Sequence, residues 1–582
     1  ILAELCAETS LAPILVCLIT RPDFQSEGWQ LINRLESRLG NQLVRIKLER
    51  LSLNETETLI TEALKTDLNT TAVANIIYSL AEGNPLFTSK FTKKLNDNGK
   101  IIQTGDAWVF EGELGIEDMP ESVCIKMSAE FDRLPPNAQQ IYKVACIFGK
   151  TFQEAILRDV LSRQRDAASI RKDLGILEKN GVIRVIQASP TPVYQFQPAL
   201  LQEVVYQALS PEDRSKWHLK IGETLEKVNR ENLDLVAEQL AYHFLHAQKP
   251  ALAARYYQQA GQKALQQHAN HEASMLLRKA LALADDEIQT SQLLADLGLA
   301  LDAQSKHEEA IATWKEAAQI YERLGNFDRV ARLYAWMARA AWWSDTLDQN
   351  LICCLEGMKK VQGKGESADI AYLIHECGRS YYFNGQMEQA QKACETALRM
   401  AQKLKAVDVQ AEILATLGIL PTLAPQAAIT VLEKSIALAQ KHQLNSTAAR
   451  AYMNLAAVVE NLGQIRRSHE YRHNALDFGV RSNGSIDELF AKTTLIHSEI
   501  LLGNFDEAIL QITEIKAIAQ RETEQPEYLS TLPLMEAEIE RQKGNFQTAI
   551  AMLLDYLKIK RQQGLEEEVL IGNYRLSEVL MA

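Results

Sequence analysis

Three pairs of histidines are the side chains whose spacing comes closest to that of a metal site. The members of each pair lie three or four residues apart, which would place both rings on one face of a helix. A zinc site needs at least three protein ligands, and no third ligand accompanies any pair along the chain. We therefore predict packed or surface histidines and no metal site. The pairs are His243/His246, His268/His271 and His469/His473.

Nucleotide chemistry is suggested by Gly149-Lys150-Thr151, which matches the end of a phosphate-binding loop. Val144, however, occupies the position of the first loop glycine, and a helical pattern precedes the segment where a strand is required. The chain also contains no nucleophile elbow and no serine, histidine and aspartate in triad order. We predict no catalytic residues, and we expect this chain alone not to hydrolyse ATP.

The composition is typical of a long, folded, helix-rich protein. The 582 residues are too many for one domain, and the net charge of −13 argues against nucleic-acid binding through bulk charge. The longest apolar run has about ten residues, whereas a membrane span needs about twenty. The eight cysteines include no C-x-x-C pair, so we expect reduced thiols in a cytoplasmic protein with no membrane partner. Because the chain begins at Ile1 within a helical pattern, we expect a segment of a longer polypeptide.

The second half of the chain carries an eight-unit repeat. A small residue recurs with partners four and seven positions later, and successive units lie 37 to 41 residues apart. The small residue lets two helices approach closely, and in several units a glycine five residues earlier makes the turn. Stacked helix pairs of this kind form an α-solenoid. The units are Ala273/Leu277/Ala280, Ala310/Trp314/Ala317, Asn350/Cys354/Gly357, Ala390/Cys394/Ala397, Ala428/Leu432/Ser435, Ser468/Arg472/Ala475, Ala508/Ile512/Ile515 and Ala549/Leu553/Tyr556, and the turn glycines are Gly385, Gly463, Gly503 and Gly544.

Upstream of the repeats the pattern changes twice. Apolar strand patterns first alternate with helices and end in a hairpin around Gly105. Helices then precede two β-rich runs on either side of Pro190-Thr191-Pro192, which is the winged-helix arrangement. The predicted fold class is therefore mainly α. Its parts are a partial α/β domain (residues 1–118), a winged-helix domain with linker helices (119–230) and a solenoid with a period of about 40 residues (231–582) that ends on an unpaired first helix.

These motifs carry two resemblances to known families. The repeat signature resembles the tetratricopeptide repeat, although the period is longer. The upstream segments resemble, in order, the C-terminal part of the STAND-type, AAA-like signalling ATPases found in multidomain adenylate or guanylate cyclases and kinases. The matching segments are Thr20-Arg21-Pro22 after a strand, Ala81 to Phe87, Leu134-Pro135 with the helix that follows to Phe152, and Tyr194 to Tyr206.

The second resemblance implies a nucleotide-dependent switch. It places Arg21 as the sensor of the terminal phosphate, a role that suits a forked and permanently charged guanidinium, and Gly83 and Pro85 beside the adenine ring. It also implies that the phosphate loop and the magnesium-binding carboxylates lie upstream of Ile1. ATP or ADP with Mg²⁺ would then be a cofactor of the parent protein and not of this segment, and the parent would be an ATPase or a nucleotide cyclase.

The first helices of the repeats suggest a peptide groove. Counting back from the small residue places basic and aromatic side chains on the concave side of a tetratricopeptide-like stack. Such residues suit an acidic, aromatic-bearing peptide or a neighbouring domain of the same protein. The candidate groove residues are Arg332, Arg339, Trp342, Tyr372, His375, Arg379, Tyr382, Arg450 and Met453.

The sequence thus predicts the regulatory or sensor segment of a signalling protein. Partner binding on the repeats would control an ATP-dependent switch, and an effector outside this chain, a class III nucleotide cyclase or a kinase, would respond. One alternative is a repeat scaffold without nucleotide switching. The other is a transcriptional activator that uses the winged helix on DNA, although acidic residues dilute the basic ones of that segment and favour a packing role.

Overall fold

The protein is mainly α-helical, as predicted. The computed structural model describes residues 17, 35, 44, 46, 48–81, 83–112, 118–189, 191–341, 347–482, 485–519, 531–563 and 566–581. Within these ranges 27 α-helices and five short strands form two compact units, residues 1–214 and 215–582. No helix in this part of the chain is long and apolar enough to cross a membrane. The domain boundaries at residues 118 and 230 stay predictions.

The first unit begins with a helical segment and a hairpin. Ser52 and Glu55 form the capping box expected from their spacing, and this cap begins the first helix. Strands β1 and β2 pair antiparallel around Gly105, whose φ of +59° suits a tight turn. The elements are α1 (Leu53–Leu64), α2 (Thr71–Ala81), α3 (Pro85–Asp97), β1 (Ile101–Thr104) and β2 (Ala107–Phe110).

The rest of the first unit combines helices with a three-stranded antiparallel sheet of order β3-β5-β4. The two predicted β-rich runs are β4 and β5, whereas β3 was not predicted. Phe152 of β3 and Phe196 of β5 pack with ring centroids 5.2 Å apart, so the third strand supplies core contacts. The elements are α4 (Glu121–Asp132), α5 (Pro136–Ala145), a 3₁₀ turn (Cys146–Phe148), β3 (Thr151–Gln153), α6 (Glu154–Leu161), α7 (Ala167–Lys179), β4 (Ile183–Gln187), β5 (Val193–Phe196) and α8 (Ala199–Ala208).

The second unit is a stack of antiparallel helix pairs. From α11 onward the helices form pairs. The first helix of each pair has an odd number, and the second helix has an even number. The helices are α9 (Pro211–Val228), α10 (Ala237–His246), α11 (Pro250–Gln266), α12 (Asn270–Leu281), α13 (Glu287–Asp302), α14 (His307–Arg323), α15 (Phe327–Ala341), α16 (Leu347–Val361), α17 (Ala368–Phe383), α18 (Met387–Lys403), α19 (Val407–Leu417), α20 (Pro425–Lys441), α21 (Asn445–Asn461), α22 (Ile465–Arg481), α23 (Ser485–Leu502), α24 (Phe505–Ala519), α25 (Leu532–Gln542), α26 (Phe546–Gln563) and α27 (Glu566–Met581).

The eight predicted signatures lie on the eight second helices, and every one of their residues is buried. The predicted turn glycines have φ between 73° and 81°, a conformation that favours glycine after a helix end. From α15 onward each first helix also contacts the next first helix, while the described second helices are not comparably close to one another. In a curved stack of helix pairs, the helices on the inner side lie closer to one another than those on the outer side. The first helices therefore form the inner face of the solenoid.

Glycines on the first helices, or in the case of Gly418 immediately after one, let the signature residues of the second helices approach. A Cβ added to Gly298 would lie 2.1 Å from Nε1 of Trp314, and one added to Gly418 would lie 2.3 Å from Leu432. Both distances are far inside van der Waals contact, so glycine is required at these crossings. A Cβ added to Gly261 would lie 2.8 Å from Leu277, and one added to Gly378 would lie 2.5 Å from Cys394.

We expect Gly298→Ala to lower the local free energy of unfolding by about 1–3 kcal/mol, because the new methyl group overpacks the crossing. The indole Nε1 of Trp314 donates to the carbonyl of Ala295 at 3.0 Å, and displacement of the ring would break this hydrogen bond. Hydrogen exchange of the α13 and α14 amides measures the effect.

The matched control is Gly175→Ala in α7, where an added Cβ meets nothing within 4 Å. Alanine is the better helix former by about 1 kcal/mol, so this variant is expected to keep or raise its local protection. Equal losses of protection around residues 175 and 298 would contradict the packing argument.

Candidate ligand-binding groove

Six of the predicted groove residues meet on the inner face of the solenoid. They lie on the first helices α15, α17 and α21, and residues of α17, α19 and α21 that were not predicted complete the group. We call this group the inner cluster. It comprises Arg332, Arg339, Asp369, Tyr372, His375, Glu376, Arg379, Glu412, Thr416, Thr447 and Arg450.

The remaining predicted groove residues lie elsewhere. Tyr382 is half-buried, and its ring packs against Phe383 with centroids 5.1 Å apart. Met453 is half-buried in α21. Trp342 lies outside the described residues.

At one end of the inner cluster Arg332 is held by two interactions. Its Nε donates to Oδ1 of Asp369 at 2.8 Å, and its guanidinium lies 4.5 Å from the centroid of the Tyr372 ring. Both contacts join α15 to α17, which are neighbouring first helices. The ion pair and the cation–π contact therefore engage the charge of Arg332 inside the protein.

In the middle of the cluster Arg379 and His375 take partners on their own and the next first helix. Arg379 Nη1 donates to both carboxylate oxygens of Glu376, at 2.9 and 3.1 Å, and the Glu376 side chain is only 3% exposed. His375 Nε2 lies 2.8 Å from Oγ1 of Thr416. Burial lowers the pKa of His375 to about 4, so this ring is neutral at pH 7.

At the other end Glu412 of α19 is bound by two residues of α21. Arg450 forms an ion pair with Oε2 of Glu412, and Thr447 donates its hydroxyl to Oε1 at 2.6 Å. Burial by itself would raise the pKa of Glu412, but Arg450 and then Arg339 lower it to about 2. The carboxylate is thus ionised, and it links two successive repeats.

Arg339 is the exception among the four arginines. Its Nη1 donates to the hydroxyl of Tyr372 at 3.5 Å, and no carboxylate of the described chain lies within ion-pair distance of it. Unlike the other three, its side chain is exposed. Four guanidinium groups face three carboxylates in the inner cluster, so one positive charge remains, at a solvent-accessible position on the inner face.

The basic residues of this cluster were predicted from the sequence, whereas its acidic residues were not. Asp369 and Glu376 lie on α17 beside predicted basic residues, Glu412 lies on α19, and the three carboxylates neutralise three of the arginines. Two of these carboxylates could have been identified from the sequence, because Asp369 and Glu376 are seven residues apart and therefore share one helix face. The sequence predicted a broadly basic groove, whereas in the structure Arg339 is the one arginine of the inner cluster without a paired carboxylate.

The predicted nucleotide-sensing residues are described in part. Gly83 has a φ of +71°, and an added Cβ would lie 2.2 Å from the carbonyl oxygen of Leu51, so the position requires glycine. Asn84 caps α3 by accepting from the backbone amides of Leu86 and Phe87, and Pro85 is the first residue of that helix. Arg21 lies outside the described residues. The roles of these three residues at a nucleotide stay predictions.

The first two histidine pairs have different surroundings. His243 is buried with its Nδ1 3.0 Å from Nδ1 of His218, and burial lowers its pKa to about 3. His268 follows the end of α11 while His271 lies in α12, so these two rings do not share a helix.

Comparisons with known proteins found similar structures but no related sequence. No protein-family profile matches the chain, and no curated protein matches it. A STAND ATPase with a tetratricopeptide-repeat sensor from Pyrococcus horikoshii is 15% identical, covers 95% of this chain and 77% of its own, and has a TM-score of 0.45.

Two further solved structures align with a smaller part of the chain. A Rap protein in complex with the competence and sporulation factor is 14% identical, covers 56% of this chain and 98% of its own, and has a TM-score of 0.38. The apo quorum sensor NprR from B. thuringiensis is 14% identical, covers 64% of this chain and 94% of its own, and has a TM-score of 0.36. At these sequence identities and TM-scores, the three structures are only distantly similar to this chain.

Proposed function

We propose that this chain is the regulatory and sensor segment of a multidomain cytoplasmic signalling protein. The inner face of its solenoid binds a protein or peptide partner, or a neighbouring domain of the same protein, through an anionic group. Binding then shifts an ATP-dependent switch of the STAND type, and an effector of the nucleotide cyclase or kinase class responds. The effector lies outside this chain.

The observation that carries the proposal is the uncompensated, exposed charge of Arg339. Ion pairs hold Arg332, Arg379 and Arg450, so they form a rigid frame and have no need of a ligand anion. A carboxylate placed at Arg339 would gain a charge-assisted hydrogen bond and would bring the cluster to neutrality. An acidic side chain or a free C-terminal carboxylate supplies that group.

The transcriptional-activator alternative has less support. Arg165 of the segment before α7 forms an ion pair with Asp173 at 2.7 Å, and Arg171 forms one with Glu154 at 2.7 Å. These arginines are held within the first unit, as expected of a winged-helix domain that packs against other parts of its own protein. Phosphate contacts to DNA would compete with the ion pairs.

The partner class is tested by selecting a random peptide display library on the immobilised chain. We expect the recovered peptides to be enriched in aspartate, in glutamate or in a free C-terminal carboxylate, and to be eluted by salt. Recovery of basic peptides would contradict the proposed chemistry, and so would peptides that bind equally well to the variant Arg339→Gln.

The switch is tested separately, because a scaffold would bind peptides without it. A longer polypeptide that carries a phosphate loop N-terminal to residue 1 should bind ATP in calorimetry, and a selected peptide should change that affinity. Peptide binding without nucleotide binding would support the scaffold alternative.

A further inference from the structure

The third histidine pair has a neighbouring carboxylate that the linear sequence does not reveal. Nε2 of His469 and Nε2 of His473, both on α22, lie 3.1 Å apart, and Oε1 of Glu499 on α23 lies 3.6 Å from Nε2 of His469. All three atoms lie within 4.8 Å of one another. Within the described ranges, no other three histidine, cysteine or carboxylate side chains come as close together.

The hydrogen bonds around His469 determine which of its nitrogens carries the proton. Nδ1 of His469 lies 2.9 Å from the hydroxyl of Ser498, and that hydroxyl donates its single hydrogen to the carbonyl of Leu495. Nδ1 must therefore be the donor to Ser498. Nε2 of His469 therefore has a lone pair, and Nε2 of His473, 3.1 Å away, donates to it.

An ion bound here would replace the hydrogen of His473 as the partner of that lone pair, with His473 as the Nδ1–H tautomer. The surroundings of the three groups also match those of metal ligands. The second nitrogen of His469 is fixed by Ser498, and Oε2 of Glu499 accepts from Nδ2 of Asn504 at 2.7 Å. Such outer hydrogen bonds orient the ligands of most protein metal sites.

Access and charge at the site are compatible with an ion. The Glu499 side chain is only 6% exposed, whereas His473 is exposed and leaves a route from solvent. Arg472 also lies on α22, and Glu460 of α21 neutralises it through an ion pair of 2.7 Å. His497 also contacts that carboxylate, at 3.1 Å, and so belongs to the Glu460 network.

We propose that His469, His473 and Glu499 bind one divalent transition-metal ion of the zinc class, with water completing the coordination. Tetrahedral ligands about 2.0–2.1 Å from zinc lie roughly 3.3 Å from one another, close to the two separations of 3.1 and 3.6 Å. Two imidazoles and one carboxylate select zinc, cobalt or nickel over magnesium and calcium. The ion would join the second helix of one repeat to the first helix of the next.

The test is a titration of the full, untagged chain with Co²⁺, whose visible absorption bands report tetrahedral nitrogen and oxygen coordination. We expect one equivalent to bind and to be displaced by Zn²⁺. His473→Gln should weaken Co²⁺ binding by at least about 100-fold, since it removes a ligand. His442→Gln, at an exposed histidine after α20, is the matched control and should bind as the wild type does.

A second readout separates binding from folding. Zn²⁺ should raise the Tm of the wild type and of His442→Gln, and it should leave the Tm of His473→Gln unchanged. Glu499→Gln should also weaken Co²⁺ binding. Absence of the cobalt bands in the wild type, or equal affinities of the two histidine variants, would overturn the proposal.

Discussion

Glu412→Ala is expected to lower the opening free energy of repeats α19 to α21 by about 3 kcal/mol. The substitution leaves the guanidinium of Arg450 without its carboxylate, and loss of one partner of a buried pair is far more destabilising than the pair is stabilising. The side chains of Glu412 and Arg450 are only 18% and 21% exposed, so water replaces little of the lost interaction. Hydrogen exchange of the α19 and α21 amides measures the change.

Two further variants separate this effect from a simple loss of charge. Glu366→Ala removes an ion pair with Lys403 in the same unit, but both partners are largely exposed, so a change below about 1 kcal/mol is expected. The double variant Glu412→Leu/Arg450→Met removes both charges of the inner pair and should recover much of the lost stability. Equal effects of the Glu412 and Glu366 substitutions would contradict the assignment of Glu412 as a structural link.

Acid should destabilise the solenoid in two stages. His243 and His375 have pKa values lowered by burial to about 3 and 4, below the ordinary 6.5. The unfolded chain therefore binds more protons, and stability falls as the pH drops from 6.5 toward 4. Glu412 and Glu460 have pKa values of about 2, below the ordinary 4.5, so the stability they contribute is present above pH 4.5 and is lost as the pH falls toward 2.

The size of the second stage follows from the lowered pKa values of Glu412 and Glu460. A pKa lowered from 4.5 to about 2 corresponds to an upper bound of about 3.4 kcal/mol for each carboxylate. Glu460→Gln should flatten the second stage and leave the first unchanged, because Gln does not titrate. Urea unfolding of the wild type and the variant, followed by circular dichroism from pH 7 to pH 3, measures both stages. A wild-type midpoint that is constant between pH 6.5 and 4.5 would contradict the buried, neutral histidines.

The repeat architecture was predictable because its signal is local and recurs. Ala273, Ala310 and their equivalents are small since helices cross at those points, and the spacing of the crossings appears directly in the sequence. The described strands β1, β2, β4 and β5 follow the same logic, whereas β3 does not, and the strand patterns predicted before residue 48 lie almost wholly outside the described residues. Strand β3 has only three residues and pairs with β5 more than forty positions away, so no local pattern marks it.

The inner cluster and the proposed metal site were harder to predict, because the residues of each lie on different helices. Glu412 meets Arg450 across a whole repeat, and Glu499 meets His469 across a turn. Sequence spacing shows which residues share a helix face but not which faces oppose each other. Spacing along the chain therefore shows the basic residues of the groove without their carboxylates, and the third histidine pair without Glu499.

Arg339 is proposed to receive the anionic group of a partner, and an affinity comparison of three proteins tests this role. A labelled peptide from the display selection is titrated with the wild type, Arg339→Gln and Arg399→Gln by fluorescence anisotropy. Arg399 is an exposed arginine of the second helix α18 and serves as the control. A hydrogen bond to a charged group contributes about 1.5–3 kcal/mol, so Arg339→Gln should raise the Kd by about 10- to 100-fold while Arg399→Gln leaves it unchanged. Equal Kd values for the wild type and the Arg339 variant would contradict the claim.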